Sequence, residues 1–424
     1  MCMQNCGIYP GYAGDQYFGI LQVYVVCELG SRPIEDAEVQ IYQKNDPDKL
    51  LVILTTDISG KTIEIKLPAP PIEYSMEPTE YQPYSEYRLI ITAPGLRTIQ
   101  IDGVQLLPYI TTIQPVRMPR RTDDYDDTEN IIVIRPHYLF GNYPPKIYED
   151  EIKEHLETES PGTIIIPDSI VVHDGLPSDI TAVNYNIAYR DYIKNVVSCQ
   201  IYATWPQETI YANILSCLSF SLNRIYTDWY TSKGCNFNIT SSTAFDQLWI
   251  YGRNIDSNIS ITVDYIFNHF LSLPDIIQPI LTQSCLGKIG SCEYMMSLWG
   301  SKKLGDQAYT AIDILQHYYG DKLYINLTDN IAGIPLIWPN KNLEEGITSE
   351  EVKFMQDKLS ILSHAYSEIP KTDTDGIYDQ EMRAAVSAFQ RIFHLPVTGI
   401  IDAATWYKIS HIHSGITHPS NLCL

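Results

Sequence analysis

The stretch YIKNVVSCQIYATWPQETI, residues 192–210, decides how the chain is interpreted. It is an apolar run that reaches a polar residue, Gln200, just ahead of a predicted helix. Thr204 as the cap and Pro206 in the first turn, with a capping-box glutamine after them, indicate where that helix starts. Apolar residues then recur every fourth position, at Ile210, Ile214, Leu218 and Leu222. The spacing predicts a helix over residues 206 to about 232.

Length and charge limit the classes of function. With 424 residues and 45% hydrophobic content the chain can form two or three cores, since a single core stops growing near roughly 250 residues. The net charge of −22 argues against nucleic acid, because phosphate binding needs clustered Lys and Arg. No apolar run approaches the roughly 20 residues that cross a bilayer, and the start lacks a basic n-region and an apolar h-region. We expect a multidomain protein without a membrane span or signal peptide.

The nine cysteines are dispersed and odd in number, so most are expected to be reduced thiols. Cys285 and Cys292, in CLGKIGSC, have a spacing compatible with a metal loop, but no CxxC pair or clustered histidines complete four ligands. A reduced or locally disulfide-bonded pair is favoured there, and no metal or cofactor is predicted. Cys2, Cys6 and Cys423 lie near the ends of the sequence, where an intermolecular disulfide is the alternative.

Residues 19–118 have the alternating apolar pattern of strands, as in GILQVYVV, AEVQIYQ and EYRLIITA, with turns at Pro, Gly and Asp. The pattern predicts an antiparallel β-sandwich that follows an N-terminal tail, residues 1–18. The turn with Thr56, Asp57 and Gly60 resembles that of the transthyretin-like or carboxypeptidase-regulatory-like sandwich. This resemblance implies a non-catalytic prodomain or adaptor.

Residues 119–165 are rich in acids and prolines, as in RRTDDYDDTEN and YPPKIYEDEIKEHLETESPG. Like charges repel and proline blocks regular pairing, so we predict an acidic linker with limited structure of its own. An exposed linker is also where a protease cuts.

Two further regions follow the linker. Residues 166–335 are a mixed α+β region, with a second helix predicted over residues 306–319. Residues 345–412 carry helical spacing in three segments, the last of which is capped by Asp402. They predict a compact three-helix bundle, followed by a C-terminal tail, residues 413–424.

The bundle resembles the three-helix peptidoglycan-binding domain. The matching features are the DG turn at Asp375, the AVxxFQ run from Ala385, Leu395, Gly399 and the DxxTW sequence from Asp402, in that order. Most of these are core or turn positions, so they identify the fold better than a binding surface. The resemblance implies peptidoglycan as the partner.

The middle region resembles the catalytic domain of stage II sporulation protein D and its relatives, which are lytic transglycosylases. The matching stretches are DYIKNVVSCQIYATWPQETIYANILSCLSFSLNRIY, TSSTAFDQLWIYGRN and MMSLWGSKKLGDQAYTAIDILQHYYG. Over about residues 19–412 the chain is similar to the clostridial spore cortex-lytic enzyme family. That resemblance implies a zymogen in the spore cortex or coat layers, which acts in germination after proteases cut the linker.

In that family one carboxylic acid protonates the glycosidic oxygen and, as carboxylate, helps the muramic 6-hydroxyl close onto the anomeric carbon. The resemblance places this acid at Gln200, and an amide cannot ionise. Leu298 also replaces the usual glutamine of the late motif, and Ala308 replaces a glycine. Together the departures predict lost or altered chemistry. Two other acids, Glu208 and Asp246, could in principle replace the missing catalytic acid. Glu208 is instead expected to stabilise the N-terminus of its helix, and Asp246 to accept structural hydrogen bonds.

Candidate glycan contacts come from two sources. The first is aromatic side chains, because their faces stack on sugar rings, although core packing explains each of these residues equally well. The second is polar residues that lie within the stretches that match the family. The aromatic candidates are Trp205, Tyr251 and Trp299, and the polar ones are Ser241, Ser242 and Gln247.

The leading hypothesis is a spore cortex peptidoglycan-binding protein that is catalytically impaired at Gln200. One alternative is an active lytic transglycosylase that uses a different acid. The other is a structural spore-layer protein crosslinked through its terminal cysteines.

Overall fold

The computed structural model describes residues 17–28, 32–121, 130–149, 164–276, 278–287, 292, 294–332 and 338–417. Residues 1–16 and 418–424 of the predicted tails lie outside these residues, and so do Cys2, Cys6 and Cys423. Residues 413–417 were predicted as tail but continue the last helix. No helix of the described residues is both long and apolar enough to cross a membrane.

Two sheets form the N-terminal part of the fold. The first has the strand order β4-β1-β7-β12, and the second has the order β3-β2-β5-β6-β8. The strands of the first sheet are β1 (Phe18–Cys27), β4 (Ile65–Pro68), β7 (Thr111–Met118) and β12 (Ile255–Asp256). Those of the second are β2 (Glu38–Gln43), β3 (Asp46–Thr55), β5 (Ser85–Thr92), β6 (Ile99–Leu106) and β8 (Ile131–Val133).

The sheets are mixed rather than wholly antiparallel, which corrects the predicted pairing. β1 pairs in parallel with β7, and β6 pairs in parallel with β8. Parallel neighbours need a long connection instead of a hairpin, and strands far apart in the chain, as these are, allow one. Leu21, Val23 and Val25 alternate along β1 and are fully buried, which is the alternation that the sequence shows.

The turn predicted at Thr56, Asp57 and Gly60 is present. The Thr56 hydroxyl accepts from the backbone N–H of Ala37, and Asp57 Oδ1 accepts from the N–H groups of Ser59 and Lys61. Gly60 has a φ of 74°, and an added Cβ would lie 2.4 Å from the carbonyl oxygen of Val25. A side chain at this position would therefore need the backbone to move.

The described part of the predicted linker is packed rather than loose. Ile134, His137, Tyr138 and Leu139 are buried, and the Tyr138 N–H donates to the carbonyl of Cys199. Apart from the strand β8, residues 130–149 contain no helix or strand, but the apolar side chains of Ile134 and of residues 138–139 pack into the neighbouring regions, which the prediction of a linker did not include. Residues 122–129 and 150–163 lie outside the described part.

Five helices and several short strand pairs form the middle region. The helices are α1 (Tyr189–Gln200), α2 (Gln207–Tyr226), α3 (Ser257–Ile266), α4 (Leu298–Asp306) and α5 (Ala311–Tyr319). One sheet has the order β10-β9-β11, with β9 (Ser169–His173), β10 (Asn184–Ala188) and β11 (Ile239–Thr240). The remaining pairs are β13 (His269–Ser272) with β16 (Tyr324–Leu327), and β14 (Ser284–Cys285) with β15 (Met296–Ser297).

Helix starts and ends differ from the predictions in three places. The apolar run before Gln200 is itself a helix, α1, buried around almost its whole circumference. α2 begins after Pro206 without a side-chain cap and ends at Tyr226, while the Thr204 hydroxyl bonds to Ser75 Oγ instead. The helix predicted over 306–319 is α5, which begins later, at Ala311, because Thr310 caps it with a capping box, and it ends at Tyr319 as predicted.

Three helices form the C-terminal region: α6 (Glu350–Ala365), α7 (Gln380–Ile392) and α8 (Ala403–Thr417). Ser349 and Asp379 each accept a backbone N–H at the starts of α6 and α7, as short polar side chains do at N-caps. Leu359, Phe389 and Trp406 are fully buried between the helices.

The three regions contact one another through polar side chains as well as through the shared sheet. The hydroxyls of Tyr24 and Tyr366 are 2.7 Å apart, which joins β1 to the C-terminal region. Asp264 of α3 pairs with Lys408 of α8 at 3.4 Å. The C-terminal region, which resembles the peptidoglycan-binding domain, therefore contacts both the N-terminal and the middle region.

Candidate functional site

Gln200 is the last residue of α1, and its side chain is held in the interior. The residue is 5% exposed, and Oε1 accepts a hydrogen bond from the Cys217 thiol of α2 at 3.2 Å. A primary amide carries no proton that it can give to a glycosidic oxygen, so this position cannot act as a general acid.

The segment around His137 covers this end of α1. His137 Nε2 lies 3.2 Å from the carbonyl oxygen of Ile201, and the His137 ring stacks on Tyr202 with centroids 4.4 Å apart. Burial lowers the pKa of His137 well below its usual value, so the ring is neutral at pH 7. Residues of the predicted linker thus pack against the residues that follow Gln200, the position at which the resemblance puts the catalytic acid.

Neither neighbouring thiol is an activated nucleophile. Burial raises the pKa of Cys217 to about 12 and that of Cys199 to about 11. Both groups stay protonated at neutral pH, whereas a reactive cysteine needs a lowered pKa. Cys199 donates to Asn195 Oδ1 at 3.5 Å, as a small buried residue does.

The two candidate substitute acids are already engaged. Glu208 accepts the N–H of Ala311 at 2.7 Å and so serves the start of α5. Asp246 is 2% exposed and accepts from Arg224 Nε, from the Tyr230 hydroxyl and from the backbone N–H and hydroxyl of Thr240. A carboxylate with this many donors is a structural acceptor.

Asp246 belongs to a buried ionic network that the sequence did not reveal. Arg224 bonds to Asp246 at 2.9 Å and to Glu149 at 2.7 Å, and its side chain is fully buried. Lys146 Nζ also donates to the Asp246 carbonyl. The acidic run before residue 150 therefore supplies a partner for a core arginine, a contact that spans 75 residues.

The polar glycan candidates are separated from one another. Ser241 donates to Asp174 Oδ1 at 2.7 Å, and both serine neighbours, Ser241 and Ser242, lie on the loop after β11. Gln247 is buried, accepts from the Tyr192 hydroxyl at 2.9 Å and lies 3.4 Å from the carbonyl of Cys217. Gln247 therefore contacts Cys217, the residue whose thiol donates to Gln200, whereas Ser241 bonds to Asp174 instead.

The aromatic candidates also divide. Tyr251 is 43% exposed and stacks on Tyr185, with ring centroids 4.8 Å apart. Trp205 is buried, and its Nε1 donates to the carbonyl of Ser75 at 2.8 Å, which makes it a core residue. Trp299 packs against Trp205 at 5.1 Å and is the candidate that reaches a surface groove.

This groove is shallow, and it is walled by two regions. Trp299 and Tyr202 belong to the middle region, whereas Tyr74 and Tyr81 come from the loop between β4 and β5. Tyr74 and Tyr81 stack with centroids 5.0 Å apart and 19° between planes, and Tyr81 is 65% exposed. Trp299 Nε1 is buried and has no hydrogen-bond partner among the described residues. The sequence did not point to the two tyrosines, because their neighbours carry no motif.

The late motif has an explanation in backbone geometry. Leu298 begins α4 and is fully buried, so an apolar side chain suits its surroundings. Ala308, where the resembled family has glycine, has a φ of 63°, the left-handed region in which glycine is less strained. The turn after α4 therefore has the left-handed backbone conformation that favours glycine, although the residue in it is alanine.

Cys285 and Cys292 form a disulfide, with Cα atoms 6.1 Å apart. This is the local pairing favoured over a metal loop. In the part of the chain that the structure describes, no three His, Cys, Asp or Glu side chains are arranged to hold a metal ion.

Comparison with known proteins identifies one region. Residues 348–409 match the family described as "Putative peptidoglycan binding domain", which confirms that the C-terminal region is of the peptidoglycan-binding type. No curated protein matches the chain.

Several solved structures resemble parts of the chain. The crystal structure of the SleB N-terminal domain is 26% identical over 17% of this chain and 92% of its own, with a TM-score of 0.15. The Bacillus anthracis TIE protein is 13% identical over 24% of this chain and 17% of its own, with a TM-score of 0.17. GBS52, the minor pilin of Streptococcus agalactiae, is 17% identical over 26% and 48%, with a TM-score of 0.18.

Proposed function

We propose that this chain is a peptidoglycan-binding protein related to the spore cortex-lytic enzymes, in which the middle region no longer cleaves glycan. The observation that carries the loss of cleavage is the buried amide of Gln200, which accepts from the Cys217 thiol. A carboxyl placed there would have no access to a sugar. The contacts of Glu208 and Asp246 support the same conclusion, because both carboxylates already accept hydrogen bonds from protein groups.

The family match of residues 348–409 supports peptidoglycan as the partner. Within the middle region, the groove beside Trp299 is the surface best suited to a glycan. It offers the exposed ring of Tyr81 for stacking on a sugar ring. We assign it as a secondary glycan contact.

Location in the spore and cleavage of the 119–165 linker by germination proteases rest on the resemblance of the middle region. They are part of the proposal for that reason. Fractionation of spores with an antibody against the chain tests the location, and the size of the chain before and after germination tests the cleavage.

Catalysis and binding are tested together on the full chain. Purified cortex peptidoglycan is incubated with the chain, sedimented, and its soluble products are analysed by mass spectrometry for anhydromuropeptides. We expect sedimentation with the polymer and no anhydro products. Release at the rate of a glutamate-bearing relative would overturn the loss of cleavage, and failure to sediment would overturn the binding function.

The groove is tested with Tyr81→Ala. Loss of one stacking face should weaken binding to soluble glycan strands about threefold to tenfold, since such contacts contribute about 0.5–1.5 kcal/mol. Tyr109→Ala is the matched control, because Tyr109 is 50% exposed in the same sheet region but does not line the groove. Equal affinity of the two variants would exclude the groove as a glycan contact.

A further inference from the structure

A lysine and a histidine meet where the C-terminal region contacts the N-terminal region. Lys61 follows the turn at Gly60, and its Nζ lies 3.4 Å from Nε2 of His394, which comes just after α7. The lysine is 8% exposed, and its Nζ also lies 5.8 Å from the ring centroid of Phe393 and 5.7 Å from that of Tyr24. The amine is therefore enclosed between the two regions, with the histidine as its hydrogen-bond partner.

Local backbone structure holds both partners of this contact. Asp57 Oδ1 accepts the N–H of Lys61 at 3.0 Å, and the N–H of Asp57 donates to the carbonyl of Lys61 at 2.8 Å. On the other side, His394 has a φ of 57°, a left-handed conformation that asparagine also adopts more readily than most residues. The two side chains thus approach each other from short turns with defined geometry.

The contact between Lys61 and His394 requires a neutral imidazole. Burial lowers the pKa of Lys61 to about 8, so the amine is still charged at pH 7 and below. A charged amine has three N–H donors and no acceptor, so Nε2 of His394 has to be the unprotonated nitrogen of the ring. A proton on Nε2 would set a second donor and a second positive charge 3.4 Å from the first.

The other charged groups that face His394 are also cations. Lys408 of α8 and Lys194 of α1 act on the ring together with Lys61. Lys194 and Lys408 bond to Asp264 of α3, at 2.7 Å and 3.4 Å, so both are charged. Burial and the three lysines lower the pKa of His394 to about 3. The acids that act on Lys61 are Asp57, Glu64 and Glu368.

A second histidine of the C-terminal region acts in the same direction. His411 of α8 lies beside Arg190 of α1, and burial lowers its pKa to about 4. Acid therefore opposes the contact of the C-terminal region with the middle region as well. The charged groups that face His411 are Asp191, Arg190, Lys408 and Lys194.

We propose that Lys61 and His394 form an acid-sensitive latch, which holds the C-terminal region on the N-terminal region while the imidazole is neutral and favours its release when the imidazole takes up a proton. The latch does not rest on the proposed function, because it follows from contacts between the regions. The released part includes residues 348–409, which match the peptidoglycan-binding family.

The sign and size of the effect follow from the two states of His394. After release the ring has left Lys61 behind, so its pKa returns to the ordinary value near 6.5. The docked state therefore keeps its full stability above pH 6.5. Below that value the equilibrium constant for docking falls about tenfold for each pH unit, until the pH reaches the docked pKa of about 3.

The test follows release in the full chain by small-angle X-ray scattering at pH 7.5, 5.5 and 4.5, with circular dichroism to show that the helices stay folded. His394→Asn offers Lys61 a neutral acceptor at every pH and tolerates the left-handed backbone. Relative to pH 7.5, the ratio of released to docked chain should rise about tenfold less in this variant than in the parent at pH 5.5, and about 100-fold less at pH 4.5.

Two further variants separate the latch from a general effect of acid. His413 Nδ1 lies 3.4 Å from Lys358 Nζ, the same kind of contact, but both residues belong to the C-terminal region. His413→Asn is therefore the matched control and should leave release unchanged within about twofold. Lys61→Met removes the facing charge and keeps an apolar side chain in the enclosure, so it should also reduce release in acid.

Three results would overturn the latch. The first is equal release by the parent and His394→Asn at pH 4.5, and the second is a parent that stays docked at that pH. The third is an effect of His413→Asn as large as that of His394→Asn, since acid would then loosen the C-terminal region itself. Sedimentation with peptidoglycan tests the proposed function separately, so its failure and that of the latch are distinguishable.

Discussion

Replacing Gln200 by glutamate restores the acid that the resembled family uses, and the structure predicts that it will cost stability instead of restoring activity. The side chain is 5% exposed, and among the described residues its hydrogen-bond partner is the Cys217 thiol. A thiol is a weak donor and carries no positive charge, so it compensates little of the lost hydration of a carboxylate.

The size of the effect follows from the pKa of the introduced carboxyl. Glutamate ionises near pH 4.3 in water, and burial raises a carboxyl pKa by roughly 2–4 units, toward the lower end where a buried cation is near. Arg253 is such a cation, since it is 3% exposed and its Nη2 donates to the carbonyl of Ser198 at 2.8 Å. Each unit corresponds to about 1.4 kcal/mol, so Gln200→Glu should lower the free energy of unfolding by about 3 kcal/mol at pH 7.5. Because the folded pKa is raised, the loss should be small below pH 4.3, should grow as the pH rises from 4.3 to the folded pKa, and should be constant above it.

The assay is urea unfolding of the parent chain and the variant at pH 5.0 and pH 7.5. Gln200→Met is the matched control, since it keeps the length, adds no charge and should show a difference independent of pH. A Gln200→Glu variant as stable as the parent at pH 7.5 would refute the burial argument, and release of anhydromuropeptides by it would refute the closed site.

Three further changes test other parts of the fold. Burial raises the pKa of Asp256 to about 6, so Asp256→Asn should be more stable than the parent by about 3 kcal/mol near pH 7.5, and the gain should vanish as pH falls below 4, measured by urea unfolding. Asp246→Asn leaves Arg224 short of a buried charge and should cost about 3–5 kcal/mol, whereas Glu149→Gln, whose side chain is 17% exposed, should cost less in the same measurement. Cys285→Ser opens a loop with a sequence separation of 7 and should cost about 2–3 kcal/mol relative to the oxidised parent, with no difference under reducing conditions.

Features with a local cause could be predicted from the sequence. The turn at Gly60 and the start of α8, where Asp402 accepts the backbone N–H of Thr405, depend on residues within a few positions of each other. The C-terminal region has the same property throughout, because its three helices are amphipathic and follow one another closely. The family match falls on that region for the same reason.

Features that depend on distant partners could not be predicted. The sequence of α1 has a polar face at helical spacing, formed by Arg190, Asp191, Lys194, Asn195 and Ser198, so the helix itself could have been predicted. That the fold also buries this polar face could not. The Cys217 thiol reaches Gln200 across 17 positions, and no spacing rule connects the end of one helix to the middle of the next. The groove tyrosines, Tyr74 and Tyr81, are brought to Trp299 by the fold alone.

The sheet that contains both β7 of the N-terminal region and β12 of the middle region would hold these regions together after the linker is cut. A cut within residues 122–129 separates β7 from β8 in the chain, but β8 stays paired with β6 and β12 with β7. Buried side chains add to this attachment: Asn254 exchanges two hydrogen bonds with the backbone of Gln105, at 3.1 Å and 2.9 Å. Since these contacts do not depend on the peptide bond that is cut, cleavage of the linker cannot by itself expose the covered end of α1. Removal of the N-terminal region would require a second step that breaks the sheet.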